Sequence, residues 1–390
     1  MTACHGGFDF PVVFVRSKCL DYSPSCLFSA DSAYPHCPII KTVTKGSRRI
    51  LGLNPDYAPR ACRDPARHWK ASIARGCHTR SRGTGSRPRT ELARQAGLEL
   101  ANRVGGVAVN PYMQTSDPHI YAVGDATATA TLNRIAQSMS PLLLAGPANR
   151  QGRLAADHIF GQRSIYKGHV GTRICKLFDL TIGGVGISVN SLRALGRDHQ
   201  YVTVRPLHHS GYYPGAENIT VRLAFENMTG KFLGAQLVGK AGVDKRVDVL
   251  ATAMQADMTV FSSEELELGY SPPYSAAKYL VNMAGFVAAN VIHGDVDILH
   301  AEEIEREIID GSVLLDARSR KEIEACHVQN AVNIPTDELR ARLGELNPSQ
   351  RTVVYCQVGY RGYLAHRILK QHGVNSVINL DGGLKEVMEG

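Results

Sequence analysis

The residues best suited to chemistry stand in the run Val353-Val-Tyr-Cys356-Gln-Val-Gly-Tyr-Arg361-Gly362. The pattern predicts an apolar strand ending at Cys356, a tight loop through Gly359, and a helix over about 362–371. Such a loop aims several backbone N–H groups at the sulfur. The helix start and Arg361 both favour negative charge there. A thiol in that setting is acidified and acts as a nucleophile. It can accept a sulfane sulfur and hold it as a persulfide. The competing reading is a buried structural cysteine at a strand end.

A second constellation is Thr115-Ser-Asp-Pro-His-Ile-Tyr-Ala-Val-Gly124-Asp125. A turn at 116–118 feeds a short apolar strand at 120–123. Gly124 lets a backbone approach a ligand, and Asp125 can accept hydrogen bonds from a chain of hydroxyls. The plain alternative is a strand followed by an ordinary Gly-Asp turn. Further on, Ala145-Gly-Pro-Ala-Asn149-Arg-Gln-Gly-Arg153 opens a helix with small residues and unused N–H groups. Two tyrosine-bearing runs follow, His209-Ser-Gly-Tyr212-Tyr213-Pro-Gly215 and Tyr270-Ser-Pro-Pro-Tyr274-Ser-Ala-Ala-Lys278. The pair His208-His209 does not read as a metal site, because adjacent histidines point apart and no third ligand is evident.

These groups need elements to position them. Thr90 is placed to cap a helix over 91–96, which Gly97 ends. A strand at 106–109 precedes the Gly-Asp run. Residues 138–160 read as a helix started or interrupted near Pro141 and Pro147. Strand character marks 177–182, 202–205, 218–225 and 232–238. Residues 243–258 and 275–292 read as helices. From 295 onward a separate α/β unit has strands at 312–315, 331–334, 352–355 and 377–380 alternating with helices.

The chain has 390 residues, enough for two to four domains, and a net charge of +8. That charge is uneven. Residues 1–90 hold 15 Lys and Arg against 5 Asp and no Glu, while the remainder is nearly neutral. That distribution argues against a nucleic-acid partner; salt-dependent RNA binding by the basic segment would support the RNA-binding alternative. Six of the nine cysteines (Cys4, Cys19, Cys26, Cys37, Cys62 and Cys77) lie there too, at irregular spacing. They form no C-x-x-C pair, so no zinc site is expected. No signal-peptide pattern and no membrane-length apolar run is seen. A cytoplasmic protein with reduced thiols is expected. Residues 1–86 form an atypical basic segment with sparse helix formers. It is either a disordered tail or a non-native reading joined near Ser86-Arg-Pro, and the second is favoured. Gly83-Thr-Gly85, in an Arg- and Ser-rich stretch, reads as a decoy for a phosphate loop.

The Gly124-Asp125 run resembles the second flavin fingerprint of the pyridine nucleotide-disulfide oxidoreductases. Together with the helix at Ala145 and both tyrosine runs, it resembles the coenzyme A-disulfide reductase type over about 86–295. The resemblance implies FAD, with the ribityl chain on Gly124 and Asp125 and the pyrimidine edge on the helix start at Ala145. It implies NAD(P)H as reductant and a homodimer that completes the site. It assigns Tyr212 and Tyr270 to the disulfide substrate, with Tyr213 and Tyr274 as rivals. A phenol suits that role, since it can donate a proton to a leaving thiolate. Asn149 is implied as a substrate contact, and Lys278 as a contact for coenzyme A phosphates.

Complete members of that family carry two Gly-rich nucleotide-binding turns and a redox cysteine that have no match here. Gly184-Val-Gly186 follows the strand at 177–182 but falls in the wrong region. FAD affinity leans on a pyrophosphate at a helix N-terminus, so an impaired reductase lacking its N-terminal nucleotide-binding half is expected.

Residues 296–389 resemble a single rhodanese domain. Asp316-Ala-Arg318, His327, Asn333-Ile-Pro335 and Asp381-Gly-Gly383 match its supporting pattern, with Asp316 and Arg318 structural rather than catalytic. The resemblance implies Cys356 and Arg361 as the sulfur-transfer pair. Cys326 stands where a Gly is usual; it either packs or resolves a disulfide with Cys356, and packing is favoured.

The expected fold is multidomain, α/β and α+β. A partial FAD-binding segment (87–162) precedes an α+β dimerisation domain (163–293) and a rhodanese-like α/β domain (295–390). The expected function is reduction of coenzyme A disulfide or persulfide, coupled to sulfur transfer from sulfane sulfur donors. Nucleic acid and membrane are not expected partners. The alternative is a stand-alone rhodanese-type sulfurtransferase on a dimerisation platform.

Overall fold

A computed structural model describes residues 12–14, 88–101, 105–130, 139–140 and 143–389. The basic segment with its six cysteines, the pair Gly83 and Gly85, and a candidate helix at 71–75 lie outside the described residues, apart from the backbone of Val12–Phe14 (β1). The described residues fall into two compact units, the chain dividing between residues 171 and 172.

In the first unit, helix α1 (Glu91–Gln95) is followed by β2 (Val107–Ala108), β3 (Ile120–Ala122), β4 (Thr127–Ala130), β5 (Met139–Ser140) and α2 (Ala145–Ile159). Strand β3 pairs parallel with β1, and β2 pairs parallel with β4. Met113, Tyr121, Val123 and Ala155 make one core that joins β3 to α2. Pro147 sits in the first turn of α2, where no intrahelical N–H is required. Thr90 precedes α1 but makes no side-chain cap bond, a correction to its expected role.

The second unit begins with an antiparallel sheet. Its strands are β6 (Arg173–Leu177), β7 (Leu180–Gly186), β8 (Gln200–Val204), β9 (Ile219–Phe225) and β10 (Phe232–Gly239), in the order β6-β7-β10-β9-β8. Residues 177–182, expected as one strand, instead turn at Phe178 and Asp179 to form the β6–β7 hairpin. Gly184 and Gly186 lie in paired positions of β7, as a sheet and not a phosphate loop requires. A short helix α3 (Val189–Ala194) connects β7 to β8. Helix α4 (Val243–Gln255) buries Val243, Val247 and Leu250, which recur at helical spacing. Helix α5 (Val260–Glu264) packs on α6 (Leu280–Ile292). Buried Asn282 of α6 donates to the carbonyls of Ser263, Glu264 and Leu266, closing the end of α5.

The same unit continues into a parallel sheet. Its strands are β11 (Ile298–Leu299), β12 (Val313–Asp316), β13 (Val332–Asn333), β14 (Thr352–Tyr355) and β15 (Val377–Leu380), in the order β11-β15-β14-β12-β13. Helices α7 (Ile304–Ile309), α8 (Arg320–Ala325), α9 (Tyr360–Gln371) and α10 (Gly383–Glu389) accompany it. Neighbouring strand residues feed opposite cores: Leu315 and Val354 one, Leu314 and Val353 the other. Such two-sided burial explains why β14 reads as an unbroken apolar run. Each fully buried aliphatic side chain contributes ~1.5–3 kcal/mol.

Candidate functional site

Cys356 lies immediately beyond the carboxyl end of β14, where open α/β sheets gather their functional groups. The thiol is buried, and the Gly359 N–H donates to Sγ at 3.2 Å. Helix α9 begins at Tyr360, two residues earlier than its apolar pattern predicts, so the helix start follows directly on the loop. Arg361, in its first turn, donates two hydrogen bonds to Glu322 of α8, at 2.7 and 2.6 Å. That fork holds the Glu322 carboxyl down to about 2. The same hydrogen bonds, with the neighbouring Cys356 sulfur, raise Arg361. The guanidinium is thus a permanent cation beside the sulfur, fixed from α8.

Two further supports shape the loop. Arg318 is buried against Asp316 and reaches the Gln357 Oε1 at 3.0 Å and the Cys326 carbonyl at 2.6 Å. It joins the end of β12 to the Cys356 loop. From the other side, the Leu384 N–H donates to the Cys356 carbonyl at 2.8 Å and the Lys385 N–H to the Gln357 carbonyl at 3.2 Å. Gly383 makes this approach possible: a Cβ there would lie 2.5 Å from the Cys356 oxygen, and its φ is +66°. Cys326 and Cys356 are both thiols, not bridged to one another.

The tyrosine turns come together as well. The hydroxyls of Tyr212 and Tyr270 are 3.1 Å apart, and both side chains are exposed. Their shared bond raises the Tyr212 phenol and lowers that of Tyr270. Tyr213 packs edge-on against His209, and Tyr274 is exposed like Tyr212 and Tyr270. Buried Arg246 of α4 holds both turns, donating to the carbonyls of His208 and Tyr274 while lying over the Tyr279 ring. Burial lowers its guanidinium. Ser210 adds a bond to the Ser275 carbonyl at 3.2 Å. Lys278 is exposed at the end of the second turn.

In the first unit, Gly124 and Asp125 form a single 3-10 turn directly after β3. Gly124 has φ +69°, and a Cβ there would meet Ala148 of α2 at 3.3 Å. Its N–H donates to buried Gln151 at 2.7 Å. The Asp125 carboxyl is half-buried and raised by that burial. Ala145 and Asn149 stand exposed in the opening turns of α2, whose start sits against this 3-10 turn. A partly buried carboxyl beside a helix start and a side-chain-free glycine fits the hydroxyl-bearing chain of a flavin. Among the described residues, no group of three or more His, Cys, Asp or Glu is placed to hold a metal ion. Among them also, no helix is long and apolar enough to cross a membrane.

Three family models match in succession. Residues 81–147 match the pyridine nucleotide-disulphide oxidoreductase model, 172–280 its dimerisation domain, and 300–389 the rhodanese-like domain. The chain carries pyridine nucleotide-disulphide oxidoreductase domains followed by a C-terminal rhodanese-like domain. It is 38% identical over 210 residues to a coenzyme A disulfide reductase of Staphylococcus haemolyticus, covering 54% of this chain and 47% of that protein. It therefore spans about half the length of the curated relatives it matches. Among solved structures, reduced CoADR-RHD of Bacillus anthracis superposes with a TM-score of 0.75 at 43% identity, covering 78% of this chain and 54% of that one. A NAD-dependent persulfide reductase from A. fulgidus gives 0.70 at 36% identity, over 77% and 54%. The fold class is as the sequence leads one to expect: a partial oxidoreductase segment, an α+β dimerisation domain and a rhodanese α/β domain.

Sequence reasoning passes over four residues of these oxidoreductase and rhodanese sites: Gln151, Arg246, Glu322 and Gln357. Two of them leave a signal in the sequence. Arg246 stands on the apolar stripe of α4 between Val243 and Val247, where an unpaired cation is unexpected. Glu322 also carries a local signal, because it closes a capping box with Ser319.

Proposed function

We propose that this chain reduces coenzyme A disulfide or persulfide with NAD(P)H in an FAD-dependent reaction, impaired because neither Gly-rich nucleotide-binding turn of the family is matched in it, and coupled to rhodanese-type sulfur transfer at Cys356. The observation that carries this reading is the occurrence, within one compact unit, of a loop built around a reactive sulfur and a paired-phenol turn. The named relatives, a coenzyme A disulfide reductase and a persulfide reductase, support it.

At the rhodanese site, the Cys356 thiolate attacks the outer sulfur of a sulfane donor. A new S–S bond forms on Sγ, the donor's bond to that sulfur breaks, and the donor's leaving group departs with the electron pair. The Gly359 N–H and the Arg361 guanidinium favour the negative sulfur before and after transfer. A coenzyme A thiolate then takes the outer sulfur and regenerates the Cys356 thiolate. Reduction of the resulting persulfide takes up two electrons and releases sulfide and coenzyme A thiol. Tyr212 and Tyr270 donate the proton that the leaving thiolate needs. FAD, when bound, relays electrons from NAD(P)H. Gly124 and Asp125 would hold its ribityl chain, and the helix start at Ala145 its pyrimidine edge. Asn149 and Lys278 contact coenzyme A, the lysine through phosphate. A homodimer and a cytoplasmic setting complete the reading.

The sulfur-transfer part has a direct test. Incubation with thiosulfate followed by intact-mass measurement is expected to add one sulfur atom to the wild type and none to Cys356→Ser. An unmodified wild type would overturn it. A stand-alone sulfurtransferase is the second reading, favoured because the groups touching the Cys356 loop come from residues 316–385.

A further inference from the structure

We propose that Arg205 and Arg222, on the antiparallel sheet, are positioning residues for the Cys356 loop, acting through Glu386. The inference rests on the sulfur-transfer reading of Cys356 and assigns that site a support outside its own domain.

Strand β8 is an edge of the antiparallel sheet, pairing with β9 on one side only. Alternate residues of a strand share a face; Tyr201 and Thr203 stand at such positions, and Arg205 follows directly on the strand's end. Arg222 lies directly across from Thr203 in the register, so it joins the same face. Every one of these four residues contacts the rhodanese-like domain. Tyr201 stacks on His300 with ring centroids 3.6 Å apart and donates its hydroxyl to Glu302 at 3.0 Å. The Thr203 N–H, which would otherwise be an unused edge donor, is shared by both carboxylate oxygens of Asp381 at 2.9 Å. Arg205 and Arg222 grip the two oxygens of Glu386, one each. Arg205 is buried, with its side chain 4% exposed and that of Glu386 13%.

The two anchored acids bracket a functional segment. Asp381 and Glu386 flank residues 382–385, and it is the N–H groups of Leu384 and Lys385 that hold the Cys356 and Gln357 carbonyls. Gly383 stands in the tightest contact with that loop, its would-be Cβ 2.7 Å from the Val358 and Gly359 nitrogens. A displacement of Glu386 therefore passes through one turn of α10 to the amide that donates to Sγ. A salt bridge that only glued two domains together could stand anywhere along the interface. This one stands at the turn that backs the reactive cysteine. Two guanidiniums on one partly buried carboxylate also fix its orientation, which a single surface pair does not.

The test uses the full chain and the variants Glu386→Gln, Arg205→Ala, Arg222→Ala and Arg205→Lys. Two quantities are read. One is the pH profile of Cys356 alkylation by iodoacetamide, followed on the Cys356 peptide by mass spectrometry. The other is kcat and KM for sulfur transfer from thiosulfate to cyanide. Misplacing the loop is expected to lower kcat by about tenfold with KM little changed. The alkylation profile should move to higher pH in Glu386→Gln and Arg205→Ala, because the Gly359 amide no longer meets the sulfur. Arg205→Lys, which keeps the charge, should recover most of both. Wild-type kcat and an unmoved alkylation profile in folded Glu386→Gln would overturn the proposal. So would losses that track only a lower melting temperature, with the folded fraction alkylated as in the wild type. A wild type that alkylates at Cys356 but transfers no sulfur would refute the sulfur-transfer reading, and the alkylation profiles would still decide the positioning claim.

Discussion

Arg361 and Glu322 face each other across the mouth of the Cys356 loop in a two-pronged hydrogen bond, one residue from α9 and the other from α8. The pair keeps a cation beside the sulfur while consuming two of its donors. The Cys356 sulfur also bears on this guanidinium.

Replacing Glu322 should therefore affect both stability and sulfur transfer. The folded carboxyl is held near about 2, below the ordinary 4.5. A depressed acid contributes stability that is fully present above the unfolded value and lost as pH falls through the folded one. Glu322→Gln should destabilise the chain at neutral pH, and the difference from wild type should close as pH falls from 4.5 towards 2. Urea denaturation across that window measures it. A difference independent of pH would contradict the assignment.

The phenol pair has its own titration. The Tyr212–Tyr270 bond lowers the Tyr270 phenol and raises that of Tyr212. In Tyr212→Phe, the remaining Tyr270 should ionise at higher pH than in the wild type, as read by ultraviolet difference titration. Disulfide reduction by the same variant should fall at least about a hundredfold if the pair supplies the proton.

Arg246 organises both tyrosine turns from beneath. Its replacement by Leu would leave the His208 and Tyr274 carbonyls short of their charged donor. A loss of about 2–3 kcal/mol is expected in equilibrium unfolding. The Tyr212–Tyr270 coupling seen in the difference titration should vanish with it.

Two glycines separate strain from contact. Gly383 and Gly373 both have positive φ, at +66° and +86°. A Cβ at Gly373 meets nothing, whereas one at Gly383 strikes the Cys356 loop. Alanine at either should cost ~1–3 kcal/mol through backbone strain. Only Gly383→Ala should also abolish sulfur transfer, as a thiosulfate assay on the two folded variants would reveal.

Much of this architecture is legible in the chain itself. Strands β14 and β15 match their apolar runs residue for residue, because both faces are buried and turn residues bound them. Cys356, Gly124 and the tyrosine runs stand out because their chemistry is local: a residue type at a strand end or in a turn. Other features depend on distant partners. The hairpin at Phe178 interrupts a stretch that reads as continuous apolar strand. Thr90 has the right type for a cap, but with φ −119° and ψ 9° it makes no side-chain cap bond. The ties made by Arg246, and by Arg205 with Glu386, join residues 38 and 181 positions apart, and no periodicity encodes such a pairing. A charged residue's solvent-facing and buried-pair roles are identical in sequence until the fold supplies the partner.

The central claim is flavin-dependent reduction, and its most direct measurement is a visible absorption spectrum after incubation with FAD and gel filtration. The account predicts a flavin band that elutes with the protein, bleaches on adding NADH or NADPH, and returns on adding coenzyme A disulfide. A protein peak without flavin, from a chain that still transfers sulfur at Cys356, would contradict the reductase account and leave the sulfurtransferase.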